Sequence, residues 1–301
     1  MVNANRSVTQ IKTKSKPWTP LWILQKCLLC FKESRPPYLV EKFIHNIRLK
    51  ETALVYFAKT LIFNLQKIKK TKREKLKCLY ASPVGKEGKS FLAKIIQKFG
   101  YEDFGYLIFV YDGTEFDEEI YRGCSFIYEK GFRWYFSKKY VTPDYCKKYD
   151  YIFFWADDLD VDNFSYKNFI EIMERNNLEN AQPALSNNSY YGLGITLKNE
   201  KYNIGRYTDF VENMATVFTR DAWTKYWNMM EKDYNFWGWG YPALAKSFCG
   251  YKNMGVVDCE TIIHTRPVRT MNTIAPKERD IFLEKNKKYK RAMKISYGKL
   301  K

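Results

Sequence analysis

The sequence predicts an α/β protein with a mainly parallel central sheet, and three observations predict it. From Leu76 onward, short apolar runs alternate with helical stretches, the order that builds βαβ units. The apolar runs, "GYLIFVY" and "YIFFW" among them, carry no polar alternation, as expected of strands covered on both faces. With 301 residues, 46% of them hydrophobic and 18% aromatic, the chain has the material for a full core.

Each element follows from its own stretch. "LKCLYASPV" reads as the first strand, and "KEGKSFLAKIIQKFG" as a helix ended by Gly100. "GYLIFVYDG" is a second strand stopped by Asp112 and Gly113, and "CSFIYEK" a short third. The aromatic helix "FRWYFSKKYV" leads to the strand "YDYIFFWADD", and "NFSYKNFIEIMERNNL" is the next helix, with Asp162 or Asn163 placed to cap it. Sheets of this kind bind ligands beyond the carboxyl ends of their strands. That rule singles out Ser82 to Gly85, Asp112 with Gly113, and Asp157 to Asp160.

The formal charge of +18 is unevenly spread. Residues 1–75 hold 17 Lys or Arg against 4 Asp or Glu, and the rest of the chain 34 against 29. Within "ETALVYFAKTLIFNLQKIKK", Leu54, Phe57, Leu61, Ile62 and Leu65 recur at helical spacing among lysines. A basic amphipathic helix packed on the main domain accounts for this, and so does peripheral contact with an anionic membrane. A nucleic-acid partner is disfavoured, since no nucleic-acid motif accompanies the charge. No apolar run of transmembrane length and no secretory leader is visible, so a cytoplasmic location is expected. Seven scattered cysteines fit reduced thiols, the Cys27–Cys30 pair included, because no second pair or nearby His completes a zinc site.

The stretch "DYIFFWADDLDVDNF" carries the most chemistry. Asp157, Asp158 and Asp160 follow a buried strand, at the edge where ligands bind. In an extended chain Asp158 and Asp160 project the same way and Asp157 the other. Two such carboxylates suit Mg²⁺ or Mn²⁺, which prefer oxygen ligands and leave places for phosphate.

From about Leu76 to Val268 the chain resembles the family of domain of unknown function 707, itself similar to GT-A glycosyltransferases. The matching stretches are "ASPVGKEGKSFLAKIIQKF", "FVYDG", "RWYFSKKYVTPD", "YIFFWADDL", "NAQPAL", "FVENMATVFTRDAW", "WGWG" and "GVVDCETIIH", in family order. The resemblance implies a GT-A-like domain over 76–268, between a basic helical segment, 1–75, and a basic C-terminal tail, 269–301. It implies a nucleoside diphosphate sugar as donor and a carbohydrate hydroxyl as acceptor.

Carried over residue by residue, the resemblance makes Asp158 and His264 metal ligands, with Asp160 compensating for Ala156, where the family has an Asp. Pro83, Val84, Gly85, Asp112 and Asp157 would line the donor, and Arg133 and Lys138 could face its diphosphate. Trp237 and Trp239, between glycines, offer a stacking surface for the acceptor sugar. The family's proton-accepting acid falls at Pro242 here, so either Glu212 in "FVENMATVF" is the substitute base or the enzyme does not invert by that route. A catalytically silent carbohydrate-binding protein is the alternative, motivated by Pro242 and Ala156.

Overall fold

The computed structural model of the chain describes residues 77–267 and 274–301. The chain divides between Lys72 and Arg73, and every described residue belongs to the second unit. The basic amphipathic segment and the Cys27–Cys30 pair lie outside the described residues. In chain order the strands are β1 (Cys78–Pro83), β2 (Phe104–Val110), β3 (Cys124–Tyr128), β4 (Tyr151–Trp155) and β5 (Leu159–Asp160). They continue with β6 (Asn180–Leu185), β7 (Gly205–Thr208), β8 (Ala215–Thr219), β9 (Met254–His264) and β10 (Ser296–Lys299). The helices are α1 (Lys89–Phe99), α2 (Arg133–Tyr140), α3 (Pro143–Cys146), α4 (Tyr166–Arg175), α5 (Arg220–Met229), α6 (Tyr241–Cys249) and α7 (Ile274–Lys285).

The strands form a mixed, mostly parallel sheet in the order β10-β7-β9-β6-β8-β4-β1-β2-β3, with β5 paired to β9 off that path. Strands β1 to β4 are parallel, as are β6 and β9. Along the path, β8 runs against both β4 and β6, and β7 against both β9 and β10. All other strands on it therefore point one way.

Alternation along the buried strands divides the interior into two layers. Tyr80, Ile108, Phe153 and Trp155 face α1 and α4, whereas Ala81, Phe109, Ile152 and Phe154 face α2, α5, α6 and α7. The strands read as unbroken apolar runs because both faces are covered. Helix α1 buries Leu92, Ile95, Ile96 and Phe99, one stripe of its surface, and Gly100 at φ 71° ends it by donating to Ile96 O. Helix α4 is capped by Ser165, which accepts from the amide of Asn168. Neither Asp162 nor Asn163 caps it, because the helix begins only at Tyr166. The C-terminal segment joins the same unit: α7 buries Phe282 and Leu283, and β10 forms the sheet edge on β7.

One ion pair lies wholly inside. Arg206 and Asp258 are 1% and 0% exposed and bond to each other through Nη1 and Oδ1. Arg206 Nη2 also donates to Ile195 O at 2.8 Å and Leu197 O at 2.7 Å, while Asp258 Oδ1 accepts from Asn199 N at 2.8 Å. The pair thus pins the loop before β7 to strands β7 and β9. Among the described residues no helix is long and apolar enough to cross a membrane, and Cys78, Cys124, Cys146, Cys249 and Cys259 are free thiols.

Asp258→Ala would strand the Arg206 guanidinium in the interior. It should cost about 3–5 kcal/mol in denaturant unfolding, and a loss under about 1 kcal/mol would show that water reaches the site.

Candidate active site at the end of the fourth strand

Strand β4 is buried throughout, and its last pairing sets Trp155 opposite Ala215 of β8. The antiparallel partner continues one residue further, Ala156 N donating to Met214 O at 2.9 Å. This register carries Glu212 and Asn213 to the carboxyl end of β4. The chain then bends at Asp157 and re-enters regular structure as β5, where Leu159 faces His264 of β9.

That bend changes how the acids are displayed. Asp160 turns towards α1, where Lys94 Nζ holds Oδ2 at 2.6 Å and the amide of Asp162 holds Oδ1 at 2.9 Å. It therefore does not join Asp158 and His264, because strand alternation does not survive the bend. Among the described residues no three His, Cys, Asp or Glu side chains gather to hold an ion.

Asp157 and Asp158 do stay together, bridged by Arg266. Asp157 Oδ1 is 2.7 Å from Arg266 Nη2, and Oδ2 accepts from Tyr111 Oη at 3.2 Å and Gly85 N at 3.3 Å. Burial raises the Asp157 pKa, against the pull of Arg266 and with the help of Asp158. Asp158 Oδ2 lies 3.1 Å from His264 Nε2 and 3.5 Å from Arg266 Nε. Its other oxygen, Oδ1, is buried with no partner, as is His264 Nδ1. In donor type a carboxylate and an imidazole suit a divalent cation, so Asp158 and His264 are the side chains that could hold one, whereas Asp160 is engaged by Lys94.

The donor-side residues converge on the same place. Pro83 ends β1, and Val84 is buried with its amide on Phe109 O at 2.9 Å. A Cβ on Gly85 would come within 2.6 Å of both Asp112 Oδ2 and Tyr111 Oη, and one on Gly88 within 2.4 Å of Asp157 Oδ2. Only glycine admits this approach. Asp112 accepts from Lys86 N at 2.8 Å and from Thr114 Oγ1 at 2.7 Å, so it holds the loop. With Tyr111, Tyr128, Glu129 and Lys130 it lines a hollow of about 320 Å³.

Arg133 reaches beneath the acids, donating to Phe154 O and to Met214 O. Burial brings its pKa down to about 10, although Glu212 and Asp158 nearby work the other way. Lys138 lies elsewhere: its ammonium donates to Trp227 O at 2.9 Å and sits 3.8 Å from the centre of the Trp227 ring. It packs on α5 because it projects from another side of α2. Glu212 keeps Oε2 buried and unpartnered, and its amide donates to Gln182 Oε1 at 2.6 Å. Burial raises its pKa, opposed by Arg133 and His264.

Trp237 and Trp239 are 37% and 42% exposed, and Phe132, 5.2 Å from Trp237, extends the aromatic surface. Gly238 and Gly240 turn this loop at φ 69° and 95°, and a Cβ on Gly238 would strike the Trp134 ring at 2.3 Å. Asn213 Nδ2 donates to Gly238 O at 2.6 Å and is itself held by Tyr226 Oη at 2.9 Å. The loop is thus fastened to the residue beside Glu212. Pro242 is buried in the first turn of α6, where a missing N–H costs nothing, so that position supplies no proton acceptor.

Sequence reasoning missed Arg266, Tyr111 and Asn213. Arg266 had one signal, its place two residues past His264, the last residue of β9. Asn213 had none, since its partner is a main-chain carbonyl.

Glu212 gives a pH test. A carboxyl whose pKa is raised on folding adds stability that is complete below its unfolded value, near 4.5, and is lost as pH rises through the folded value. The Tm of the native protein minus that of Glu212→Gln should therefore fall as the pH rises above about 4.5. A flat difference would mean that Glu212 is solvated.

The sequence profile described as "Protein of unknown function (DUF707)" matches residues 40–209 and 205–296. No curated protein matches the chain. Among solved structures, S. aureus TarS 1–349 in complex with UDP-GlcNAc aligns with TM-score 0.47 and 10% identity, over 69% of this chain and 64% of that one. A longer S. aureus TarS structure gives 0.45 and 10%, over 63% and 37%. A197 from STIV gives 0.35 and 12%, over 65% and 99%. The chain spans less than two thirds of the length of either TarS structure, and at these scores the likeness carries no inference.

Proposed function

We propose, from the premise that the chain belongs to the DUF707 family, that it is a GT-A-like glycosyltransferase moving a sugar from a nucleoside diphosphate sugar to a carbohydrate hydroxyl. One observation carries this reading: the Asp157–Asp158–His264 edge, Glu212 with a bare buried oxygen, and the exposed tryptophan loop are fastened together through residues 212–214. The family resemblance supplies the reaction class.

In this reading the loop 83–85 and the hollow beside Asp112 hold the nucleoside. Mn²⁺ or Mg²⁺ on Asp158 and His264 would supply positive charge to the departing diphosphate. The acceptor sugar stacks on Trp237 and Trp239. Glu212 takes the proton of the acceptor hydroxyl as its oxygen bonds to the anomeric carbon, and the bond from that carbon to the diphosphate breaks with its electron pair leaving on phosphate. A carboxylate whose pKa is raised by burial is a better proton acceptor than a solvated one. Arg133, near both Glu212 and Asp158, balances their charges.

A second reading, a silent carbohydrate-binding protein, draws on Pro242, buried where the family's acid is expected. The charge of residues 1–75 supports peripheral contact with an anionic membrane on the cytoplasmic side.

Two measurements separate these readings. A nucleoside diphosphate should raise the Tm only together with Mn²⁺ or Mg²⁺, and Asp158→Ala should abolish the rise; a full rise in that variant removes Asp158 from the site. In a screen of nucleotide sugars with glycan acceptors, Glu212→Gln should leave donor binding intact and slow transfer by about 100-fold or more. Transfer at the native rate would exclude Glu212 as the base, and sugar binding without transfer in the native protein would favour the silent reading.

A further inference from the structure

The side chain that lies on the acid pair is already a cation. Arg266 Nη2 is 2.7 Å from Asp157 Oδ1, its Nη1 is 3.0 Å from Glu87 Oε2, and its Nε is 3.5 Å from Asp158 Oδ2. Its side chain is only 17% exposed. The charge is carried at the end of a long side chain, so it leaves the acids when that side chain moves.

We infer that Arg266 is a tethered counter-ion, held on Asp157, that competes with a divalent cation at Asp158, and that a diphosphate relieves the competition. The inference rests on the proposed donor site and adds a condition for filling it. A divalent ion that reached Asp158 and His264 with Arg266 in place would sit beside a like charge. A diphosphate offers the guanidinium a bidentate oxygen partner better matched than two separate carboxylates. Arg266 then turns outward and the acids are free for the ion. Linkage makes the effect mutual: whatever diphosphate does for the cation, the cation does for diphosphate.

The local anatomy suits such a swing. Thr265 is fixed to Asp158 O by both its amide, at 3.0 Å, and its hydroxyl, at 2.9 Å. The backbone at the base of the side chain is therefore held while the long arm beyond it can change partners. Glu87, on the 3-10 turn Lys86–Gly88 just after the donor loop, is 56% exposed and gives the departing guanidinium a point of support at the rim.

The test is Mn²⁺ binding to the full-length protein by calorimetry, with Mn²⁺ alone as the probe. Arg266→Gln should bind Mn²⁺ tighter than the native protein by about tenfold or more, the scale of one charged hydrogen bond, and Arg266→Lys should stay near native. Adding Asp158→Asn to Arg266→Gln should remove the gain. Equal, Asp158-dependent binding by native protein and Arg266→Gln overturns the competition and leaves the donor site standing. No Mn²⁺ binding by either protein overturns both. A second readout uses inorganic pyrophosphate: the Tm rise given by Mn²⁺ and pyrophosphate together should exceed the sum of their separate rises in the native protein. That excess should shrink in Arg266→Gln, and an undiminished excess counts against Arg266 as the coupling element.

Discussion

Two neighbouring carboxylates end a strand from which water is excluded, and their mutual repulsion is the constraint that their surroundings answer. Asp157 receives a phenol, a backbone amide and half of a guanidinium. Asp158 receives an imidazole on one oxygen and nothing on the other. The asymmetry is informative. Asp157 is bound in by β1 and β2, through Gly85 and Tyr111, and so doubles as the fastening between strand ends. Asp158 keeps capacity in reserve. Glycine at 85 and 88 is a consequence of the same crowding, since a side chain at either would displace the groups that quiet these acids.

The sheet makes that meeting possible. Parallel neighbours β1, β2 and β4 deliver their carboxyl ends to one edge, which alone would give the donor loop, Tyr111 and the acids. The reversed strand β8 adds what parallel strands cannot, because its beginning, rather than its end, lies at that edge. Residues 212–214 thereby arrive next to Asp157 from the opposite chain direction. Strand β9, long enough to pair with β6, β7 and β5, supplies His264 and then Arg266 from the far side.

Much of this was legible in the sequence. The strands from β1 to β4, helix α1 with its terminating glycine, and the placing of Asp157 and Asp158 just past the carboxyl end of β4 all follow from apolar runs, helical spacing and punctuation. The position of Asp160 did not follow, because alternation holds within a strand and says nothing across a bend. Lys94, five residues before the end of α1, decides that residue's fate, and no local pattern links two positions 66 apart. Lys138 shows the same gap on a helix, where the low amphipathicity of an aromatic-rich segment hides which side is outward. The contribution of α7 and β10 was also unread, since "SYGK" is too short and polar to announce a strand.

The fastening of the tryptophan loop has a consequence for how a domain of this kind can diversify. Asn213 grips the carbonyl of Gly238, an atom that every amino acid possesses, and Gly238 is kept small by Trp134 below it. The two positions on either side are under neither restriction, and both are partly exposed. Their identities can change through evolution without loosening the hold on the loop or shifting Glu212. The exposed surface of the loop is thus open to single substitutions, while the buried framework beneath is inherited unchanged.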